Sequence, residues 1–434
     1  MKKIMKKIVE TLAGRLAAGV IRRYNPVVIG ITGSVGKTSS KDAIYSVVRQ
    51  KYAARKSHGN LNAELGLPLA IAGFREAKTS ASFWLKALFR LFALQHSDEG
   101  VGEILVLEMG VDKPGDMDKL LAIAQPDIGV VTSVGVSHLG KFGSSSRIIA
   151  EKSKLITSLS RDQQAIVCGD DIRLAALKKK IKAHLLTYGL GVNNMMRATN
   201  ILIQLGDLKT AQRQEWGTSF KLNYQDKIIP VRLKKALGTQ QVYAALAGAA
   251  VGVSIGMNLL EISEALSEYV PPKGRMGLIE GIKGSIIIDD TYNASPTSVL
   301  AALQVLQQAP QRRKVAVLAD MLELGHYEKK GHQEVGKEVA NAADVILTYG
   351  KAAQSIAETA LSTIVGQNER KFVRHFHKQE DLVTAIRENT REGDIILVKG
   401  SQGMRMEHVV KAIMRYPEEA PKLLVRQSRE WLRK

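Results

Sequence analysis

The chain has 434 residues, 45% of them hydrophobic and 24% charged, a balance that excludes collagen-like, coiled-coil and wholly disordered proteins. A single cysteine, Cys168, excludes an intramolecular disulfide framework and a multi-cysteine zinc site, and it predicts a cytoplasmic protein. The net charge of +20 predicts an anionic partner, and the lack of a zinc-finger or ribonucleoprotein signature predicts that this partner is not a nucleic acid.

Residues 1–25 are predicted to form a basic amphipathic helix. Its apolar residues recur every four positions, at Ile4, Ile8, Leu12, Leu16 and Val20, among many lysines and arginines. Such a helix either packs on its own domain or lies on an anionic membrane. Peripheral contact with the inner face of the membrane is therefore one hypothesis, and the sequence leaves both open.

Short apolar strands alternate with helical patterns from residue 26 onward, which predicts an α/β fold with mainly parallel sheets. The strand candidates are Val27–Ile31, Glu103–Leu107, Ile128–Thr132 and Ala165–Cys168, and then, after a boundary near Pro271, Ser285–Ile288, Lys314–Leu318, Val345–Thr348 and Asp394–Val398. We expect a central phosphate-loop domain over 26–272 and a smaller Rossmann-like C-terminal α/β domain over 273–434.

Two segments depart from this alternation. Ile201–Leu233 contains strand-like fragments and is expected to form an antiparallel insertion or a sheet edge. Phe83–Phe92 gathers aromatic and basic residues in a chain that has few aromatics. That segment is either an interfacial element or a helix packed on the core, and the two interpretations stay open.

The strongest motif is Gly30-Ile31-Thr32-Gly33-Ser34-Val35-Gly36-Lys37-Thr38-Ser39. It follows a predicted strand and opens a predicted helix, as a phosphate-binding loop requires. Glycines let backbone N–H groups approach phosphates, and the helix N-terminus favours an anion. We expect Lys37 to reach the terminal phosphates and the Thr38 hydroxyl to hold Mg²⁺. The spacing departs from the usual form, since Ile31 stands five positions before Gly36.

Further candidates lie where predicted strands end. Glu108 and His138 follow central-domain strands, at the edge where α/β sheets bind ligands, and each is a possible metal ligand. In the second domain, Asp289–Pro296 could contact a ribose or an amine, or could cap a helix, and Lys399-Gly400-Ser401 could meet an anion. Lys152 has the pattern of a solvated helical lysine.

Taken together, these strings resemble the Mur ligases, and in particular the branch that adds D-alanyl-D-alanine. The matching strings run across nearly the whole chain: Gly30–Ser39, Asn60–Pro68, Leu107–Gly110, His138-Leu139, Glu151-Lys152, Gly274–Met276, Asp289–Pro296, Asp320–Gly325 and Val398–Ser401. The resemblance implies an ATP-dependent amide ligase that works through an acyl phosphate. Its implied partners are a UDP-muramoyl-peptide-like anionic substrate and D-alanyl-D-alanine, and its implied cofactors are ATP and Mg²⁺.

The resemblance also implies a role for each matching residue. The implied catalytic residues are Lys37, His138 and Lys152, the last as a carbamate near a second Mg²⁺. The implied Mg²⁺ ligands are Thr38, Glu108, His138 and Lys152. ATP is expected to contact Gly33, Ser34, Val35, Gly36, Lys37, Thr38, Ser39, Arg275, Asp290 and Asn293. The substrates are expected to contact Asn60, Asn62, Lys399 and Ser401.

This sequence departs from the family pattern in three places. About 25 residues precede the phosphate-loop strand, fewer than a domain needs, so we expect the usual UDP-binding N-terminal domain to be missing. Ala244 stands where the family has a nucleotide-contacting asparagine, and Ala63 follows Asn62 where a second asparagine is usual. Two alternatives therefore remain, a Mur-like ligase for another acceptor and a non-catalytic, ATP-binding scaffold at the membrane surface.

Overall fold

A computed structural model describes residues 2–59, 61–78, 80–134, 142, 144–204, 216–309, 312–366 and 371–432. Its contacts divide the chain into two units. The first unit comprises residues 1–201, 220–232 and 242–269, and the second comprises 202–219, 233–241 and 270–434. The mixed α/β architecture with parallel sheets confirms the predicted fold class.

The larger sheet has nine strands among the described residues, in the order β2-β3-β1-β4-β5-β6-β7-β8-β9. The strands are β1 Val27–Thr32, β2 Ala54–Lys56, β3 Ile104–Glu108, β4 Ile128–Val131, β5 Gln164–Cys168, β6 His184–Gly189, β7 Met196–Gln204, β8 Gly217–Tyr224 and β9 Lys227–Leu233. Every pair from β2 to β7 is parallel. The atypical segment Ile201–Leu233 contains the end of β7 and all of β8 and β9, and these strands form one edge of the sheet, which is one of the two expected alternatives.

Helices precede, connect and follow these strands. They are α1 Lys2–Tyr24, α2 Lys37–Val48, α3 Gly66–Ile71, α4 Ala81–Leu94, α5 Asp116–Ile123, α6 Ser145–Thr157, α7 Ile172–Ala175, α8 Thr239–Ser254 and α9 Leu259–Ser267. The central strands carry β-branched and leucine side chains that are fully buried, such as Ile29, Ile31 and Leu105. Apolar residues on both faces of a parallel sheet require cover on both faces, which the helices provide.

The second unit has a six-stranded sheet in the order β10-β11-β15-β12-β13-β14. Its strands are β10 Gly277–Glu280, β11 Ile286–Asp290, β12 Lys314–Ala319, β13 Val345–Tyr349, β14 Phe372–Phe376 and β15 Ile395–Lys399. Its helices are α10 Pro296–Gln307, α11 Glu328–Ala342, α12 Gln354–Gly366, α13 Gln379–Asn389, α14 Glu407–Ile413, α15 Ala420–Leu423 and α16 Arg429–Leu432. Only β10 runs antiparallel to its neighbour among the described pairs.

Helix α1 packs on its own unit by only part of the predicted stripe, since Val20 is buried and Leu16 packs against the core. Ala13, Ala17 and Val20 are fully buried, whereas Ile8 and Leu12 are 56% and 44% exposed. Four residues advance a helix by about 400°, so a stripe repeated strictly every four residues drifts around the axis by about 40° at each step. The small alanines belong to the face that stays against the core.

Helix α4 contains the segment Phe83–Phe92, for which an interfacial element and a helix packed on the core were both open. The helix has one face on the core and one exposed apolar face. Ala87, Leu91 and Leu94 are buried, while Leu85 and Phe89 are each 71% exposed. Phe92, one turn further along, is 53% exposed on the same outward side. Within the described residues, no helix combines the length and apolarity required to cross a bilayer.

Candidate functional site

The phosphate-loop motif lies at the carboxyl end of β1, which is flanked by the parallel strands β3 and β4. Strand β1 ends at Thr32, the loop covers residues 33–36, and α2 begins at Lys37. Gly36 caps the helix with a φ of 86°, a left-handed conformation that glycine adopts without strain. The turn at Gly36 therefore directs the first N–H groups of α2 toward the loop, as an anion-binding helix N-terminus requires.

Residues from the end of β4 hold the loop in place. The Thr132 hydroxyl donates to the Val35 carbonyl at 2.7 Å, and the Ser34 N–H donates to the Ser133 carbonyl at 2.6 Å. A Cβ at Gly33 would lie 2.0 Å from the Thr132 Oγ1, so only glycine fits there. Thr132 and Ser133 were not predicted as site residues, because a short hydroxyl residue after a strand has no distinctive pattern.

Two lysine amines converge on one carbonyl of this loop. The Nζ of Lys37 donates to the Gly33 carbonyl at 2.7 Å, and the Nζ of Lys152 donates to the same oxygen at 2.7 Å. Lys152 is 1% exposed, so its interpretation as a solvated lysine is wrong. Burial, followed by repulsion from Lys37, lowers the pKa of Lys152 to about 6.

Asp112 acts in the opposite direction on Lys152. Its negative charge favours the protonated amine and raises the pKa, although by less than burial and Lys37 lower it. Asp112 was not singled out in the sequence, where it follows Glu108 by four residues in a segment without a recognisable motif. The pKa of Lys152 therefore depends on burial and on the opposite charges of Lys37 and Asp112.

Glu108 lies beside the phosphate-loop strand. In the β1–β3 register it pairs with Ile31, and its backbone N–H donates to the Ser57 hydroxyl at 3.0 Å. The Asn62 amide donates to Glu108 Oε1 at 3.0 Å. Within the described residues, the buried Oε2 has no hydrogen-bond partner. A buried carboxylate oxygen with an unused lone pair, beside a hydroxyl-bearing phosphate loop, is a donor set that suits a hard cation.

The remaining first-unit predictions differ in how far the structure bears on them. Asn60 and His138 lie outside the described residues. Within the described part of the chain, no three His, Cys, Asp or Glu side chains form a cluster that could hold a metal ion. Thr38 lies in the first turn of α2, and Ser39 is buried, with its carbonyl 3.3 Å from the Tyr269 hydroxyl.

The second unit brings four predicted residues together at the carboxyl ends of two neighbouring strands. Asp290 ends β11 and pairs in register with Lys399, which ends β15. The Lys399 amine donates to Asp290 Oδ2 at 2.5 Å and to the Asn293 carbonyl at 3.0 Å. The Ser401 hydroxyl lies 3.3 Å from the Ala294 carbonyl. Lys399 is fully buried, and burial lowers its pKa although Asp290 opposes that shift.

Arg275 and Asp289 lie at the same part of the second unit. The Arg275 guanidinium stacks over the Tyr292 ring, 4.2 Å from its centroid, and no partner for its buried Nε is found among the described residues. Burial raises the pKa of Asp289 to about 6, although the Thr291 hydroxyl donates to its Oδ1 at 2.6 Å. The helix-capping alternative is also present, since Ser295 caps α10.

Comparisons with known proteins place both units in one family. The profile of the Mur ligase middle domain matches residues 31–83 and 89–252, and that of the Mur ligase glutamate ligase domain matches 274–402. The chain is 33% identical over 411 residues to the UDP-N-acetylmuramoyl-tripeptide–D-alanyl-D-alanine ligase of Bacillus subtilis (strain 168), covering 94% of this chain and 80% of that protein. For the ligase of the same name from Escherichia coli (strain K12) the identity is 29%, covering 92% and 79%.

Solved structures agree with these matches. The MurF ligase of Thermotoga maritima in complex with ADP superposes with a TM-score of 0.75 at 26% identity, covering 95% of this chain and 84% of that chain. The MurF of Acinetobacter baumannii gives a TM-score of 0.74 at 27% identity, covering 92% and 79%.

Proposed function

The chain belongs to the Mur ligase family, and we propose that this ATP-dependent, ADP-forming ligase joins D-alanyl-D-alanine to a UDP-N-acetylmuramoyl-tripeptide. The observation that carries the proposal is the convergence of the Lys37 and Lys152 amines on the Gly33 carbonyl, beside the buried carboxylate of Glu108 on the adjacent strand β3. The cationic Lys37, the buried amine of Lys152 and the acidic Glu108 at the phosphate loop suit transfer of a γ-phosphoryl group.

The reaction proceeds in two steps. A carboxylate oxygen of the tripeptide attacks the γ-phosphorus of ATP, which forms an acyl phosphate and releases ADP. The amine of D-alanyl-D-alanine then attacks the acyl carbon, and the tetrahedral intermediate collapses to the amide with loss of phosphate and a proton. Catalysis of the first step is mainly positioning and charge stabilisation, which the Lys37 amine and the N–H groups at the start of α2 provide.

The residues present fit Mg²⁺, which the family uses. Thr38 would hold the ion through its hydroxyl and Glu108 through its unpartnered Oε2, and His138 stays a predicted ligand. Bound there, the ion would neutralise charge on the phosphate oxygens. The segment that carries Asn62 holds Glu108 in place, so Asn62 is assigned a positioning role in addition to its predicted contact with substrate.

Lys152 is the residue whose chemistry depends most on burial. An amine with a pKa of about 6 is largely neutral at pH 7, and a neutral amine attacks CO₂ to form a carbamate with release of a proton. The carbamate turns the amine into an anionic oxygen ligand, which suits a hard metal ion. Carbamylation should appear as a +44 Da adduct or a ¹³CO₂ resonance that the Lys152→Met variant lacks.

The second unit supplies the remaining predicted contacts. Arg275, Asp290 and Asn293 are proposed to contact ATP, and Lys399 and Ser401 the substrates. Lys399 is already paired with Asp290, so we assign it the role of orienting that carboxylate. Asp290→Asn should therefore raise the KM for ATP more than it changes the KM for D-alanyl-D-alanine.

We further propose peripheral contact with the anionic inner face of the membrane, through the outward face of α4. Leu85, Phe89 and Phe92 are exposed there, and Lys86 and Arg90 lie between them in sequence. Apolar side chains flanked by cations are typical of interfacial helices. Phe89→Ser/Phe92→Ser should reduce co-sedimentation with phosphatidylglycerol vesicles, whereas a change confined to α1, Ile8→Ser, tests whether that helix contributes. Equal binding by the wild type, Phe89→Ser/Phe92→Ser and Ile8→Ser would contradict the proposal.

Phosphate release by the purified protein tests the ligase reaction. ATP and Mg²⁺ are supplied with UDP-muramoyl tripeptide and D-alanyl-D-alanine, separately and together. Release that requires both substrates, with the amide product identified by mass, would support the proposed reaction. Stimulation by a different acceptor alone would instead support a Mur-like ligase with another substrate.

Two variants distinguish catalysis from a scaffold role. Lys37→Ala should lower phosphate release by at least 100-fold while leaving the fold intact, because its side chain is only part-buried in the loop. Lys179→Ala, an exposed lysine in the short turn Lys178–Lys180, is the matched control and should leave turnover unchanged. Full activity in Lys37→Ala would contradict the site assignment.

A further inference from the structure

A second cationic site lies in the first unit, at the edge strand β2. It is an open cavity of about 440 Å³, which we call the basic cavity. Its polar lining consists of Tyr45, Arg55, Lys56, His58, Arg75, Lys86 and Arg90. None of the described residues that line it carries a carboxylate. None of these residues belongs to the phosphate loop or was predicted as a site residue.

The basic cavity keeps excess positive charge after its ion pairs are counted. Lys56 pairs with Asp42 at 2.8 Å, and Arg90 pairs with Glu99. Arg75 and Lys86 form no ion pair with any residue that the structure describes. Cations left without a counter-charge around a concave site favour an anionic ligand, because the cavity walls focus their field.

Arg55 lies in the same wall and has a neutral partner. Its Nη2 donates to the Gly100 carbonyl at 3.1 Å, which fixes the guanidinium without cancelling its charge. The fork of a guanidinium matches the geometry of phosphate oxygens, so an arginine fixed in this way is suited to phosphate recognition.

The pKa of His58 responds to the charges around the basic cavity. Burial lowers the pKa of His58, and the charges of Lys56, Lys41 and Arg75 lower it further, although Asp42 opposes that shift. Lys41, on α2, is itself 2% exposed. Cations on β2, on α2 and in the segment after α3 therefore act on the same point.

The chain connects this cavity directly to the phosphoryl-transfer edge. Strand β2 ends at Lys56, the Ser57 hydroxyl accepts the Glu108 N–H, and Asn62 donates to the Glu108 carboxylate. Asn62 is six positions after Lys56, so the two residues lie at most about 21 Å apart even if that segment were fully extended. A nucleotide-linked peptide with its carboxylate near Glu108 is long enough to place its other end in the basic cavity.

We propose that the basic cavity binds the diphosphate group of the UDP-linked acceptor substrate. This inference rests on the proposed function and names the part of the chain that holds the nucleotide end of that substrate. The phosphate loop is assigned to ATP, so the two phosphate-bearing ligands have separate cationic sites. Arg55, Arg75 and Lys86 carry the recognition, while Lys56 and Arg90 are held by their carboxylate partners.

Steady-state kinetics of the double variant Arg75→Gln/Lys86→Gln test the proposal. Both side chains are exposed, so the fold should survive. We expect the KM for UDP-muramoyl tripeptide to rise by about tenfold or more, since a lost charge-assisted hydrogen bond changes affinity by at least that factor. The kcat and the KM for ATP should stay unchanged, and so should the KM for a muramoyl tripeptide that lacks UDP.

The double variant Lys179→Gln/Lys180→Gln is the control, because it removes the same net charge from an exposed turn elsewhere in the unit. A similar KM rise in the control would attribute the effect to net charge and overturn the cavity site. An unchanged KM in Arg75→Gln/Lys86→Gln, with ligation intact, would also overturn it while leaving the proposed function standing.

A direct binding measurement keeps the test independent of catalysis. UDP is titrated into protein whose phosphate loop is filled with a non-hydrolysable ATP analogue, and the imidazole NMR signals are followed, with His58 assigned from His58→Gln. We expect the His58 signal to move and its pKa to rise, and Arg75→Gln/Lys86→Gln to need about tenfold more UDP. No movement of the His58 signal, or movement with phosphatidylglycerol vesicles but not with UDP, would overturn the proposal.

Discussion

The Nζ of Lys152 lies 2.7 Å from the carbonyl oxygen of Gly33, so helix α6 and the phosphate loop are joined through a buried amine. A buried lysine without a carboxylate partner in its hydrogen bond is costly to keep protonated. Burial at this position, together with the charge of Lys37, therefore favours the neutral amine, which is the form that carbamylation requires.

Lys152→Met should raise the free energy of unfolding at pH 7 in CO₂-free buffer. The folded pKa of about 6 lies below the ordinary 10.5, so between these values the unfolded chain binds the extra proton. Wild-type stability should then increase with pH across that window by up to about 1.4 kcal/mol per unit, and the variant should lose this contribution.

Denaturant unfolding at several pH values measures the effect as the difference between the two proteins, which cancels other titrating groups. The Lys179→Met variant, at an exposed position, should show the wild-type pH dependence. A difference between Lys152→Met and wild type that stays constant from pH 6 to 10 would contradict the depressed pKa.

Gly33→Ala should disable the phosphate loop. The added Cβ would lie 2.0 Å from the Thr132 hydroxyl oxygen, so the loop or its support at the end of β4 must shift. We expect a loss of about 1–3 kcal/mol in stability and a fall in ATP affinity measured by calorimetry. Gly277→Ala, where a Cβ meets nothing within 4 Å, is the control. Normal ATP binding by Gly33→Ala would show that the loop tolerates the methyl group.

The phosphate loop and the strand ends were predictable because their signals are local. Gly33, Gly36 and Lys37 are close in sequence, and Glu108 and Asp290 each end a short apolar strand that the alternation already marks. A parallel sheet brings the ends of its own strands to one edge, so within each unit the spacing along the chain was sufficient to predict which residues share that edge.

Lys152 and the basic cavity were not predictable in the same way. Lys152 occupies the buried stripe of α6 with Ile148 and Leu155, at positions i, i+4 and i+7. That stripe was a usable signal, because a lysine within it must either be paired or titrate. The basic cavity combines β2, α4 and the segment after α3, and no sequence period links Arg55, Arg75 and Lys86 before the chain folds.

Asp289→Asn should stabilise the second unit at pH 7. Burial raises the folded pKa to about 6 from 3.8, so the folded state holds a proton that the unfolded chain releases. The associated stability is complete below the unfolded pKa and is lost as pH rises through the folded value. We expect the variant to gain up to about 3 kcal/mol over wild type between pH 4 and 7.

The amide introduced by Asp289→Asn keeps an oxygen that can accept from the Thr291 hydroxyl, so the comparison isolates the charge. Asp381→Asn, at an exposed position in α13, should change the unfolding free energy by only about 0.5 kcal/mol. A loss of stability in Asp289→Asn at every pH would contradict this account of the buried carboxyl.

Lys399→Met should destabilise the second unit strongly, in contrast to Lys152→Met in the first. Its amine is 2.5 Å from Asp290 Oδ2, with side chains 1% and 9% exposed, so the substitution leaves a buried carboxylate without its counter-charge. Removing one partner of such a pair costs about 3–5 kcal/mol. Lys399→Met/Asp290→Asn should recover part of that loss, because no unpaired charge remains.

Lys78→Ala, which breaks the exposed Lys78–Glu76 pair, is the control and should cost at most about 1 kcal/mol. Equal losses from Lys399→Met and Lys78→Ala in thermal unfolding would mean that Asp290 reaches water without its lysine.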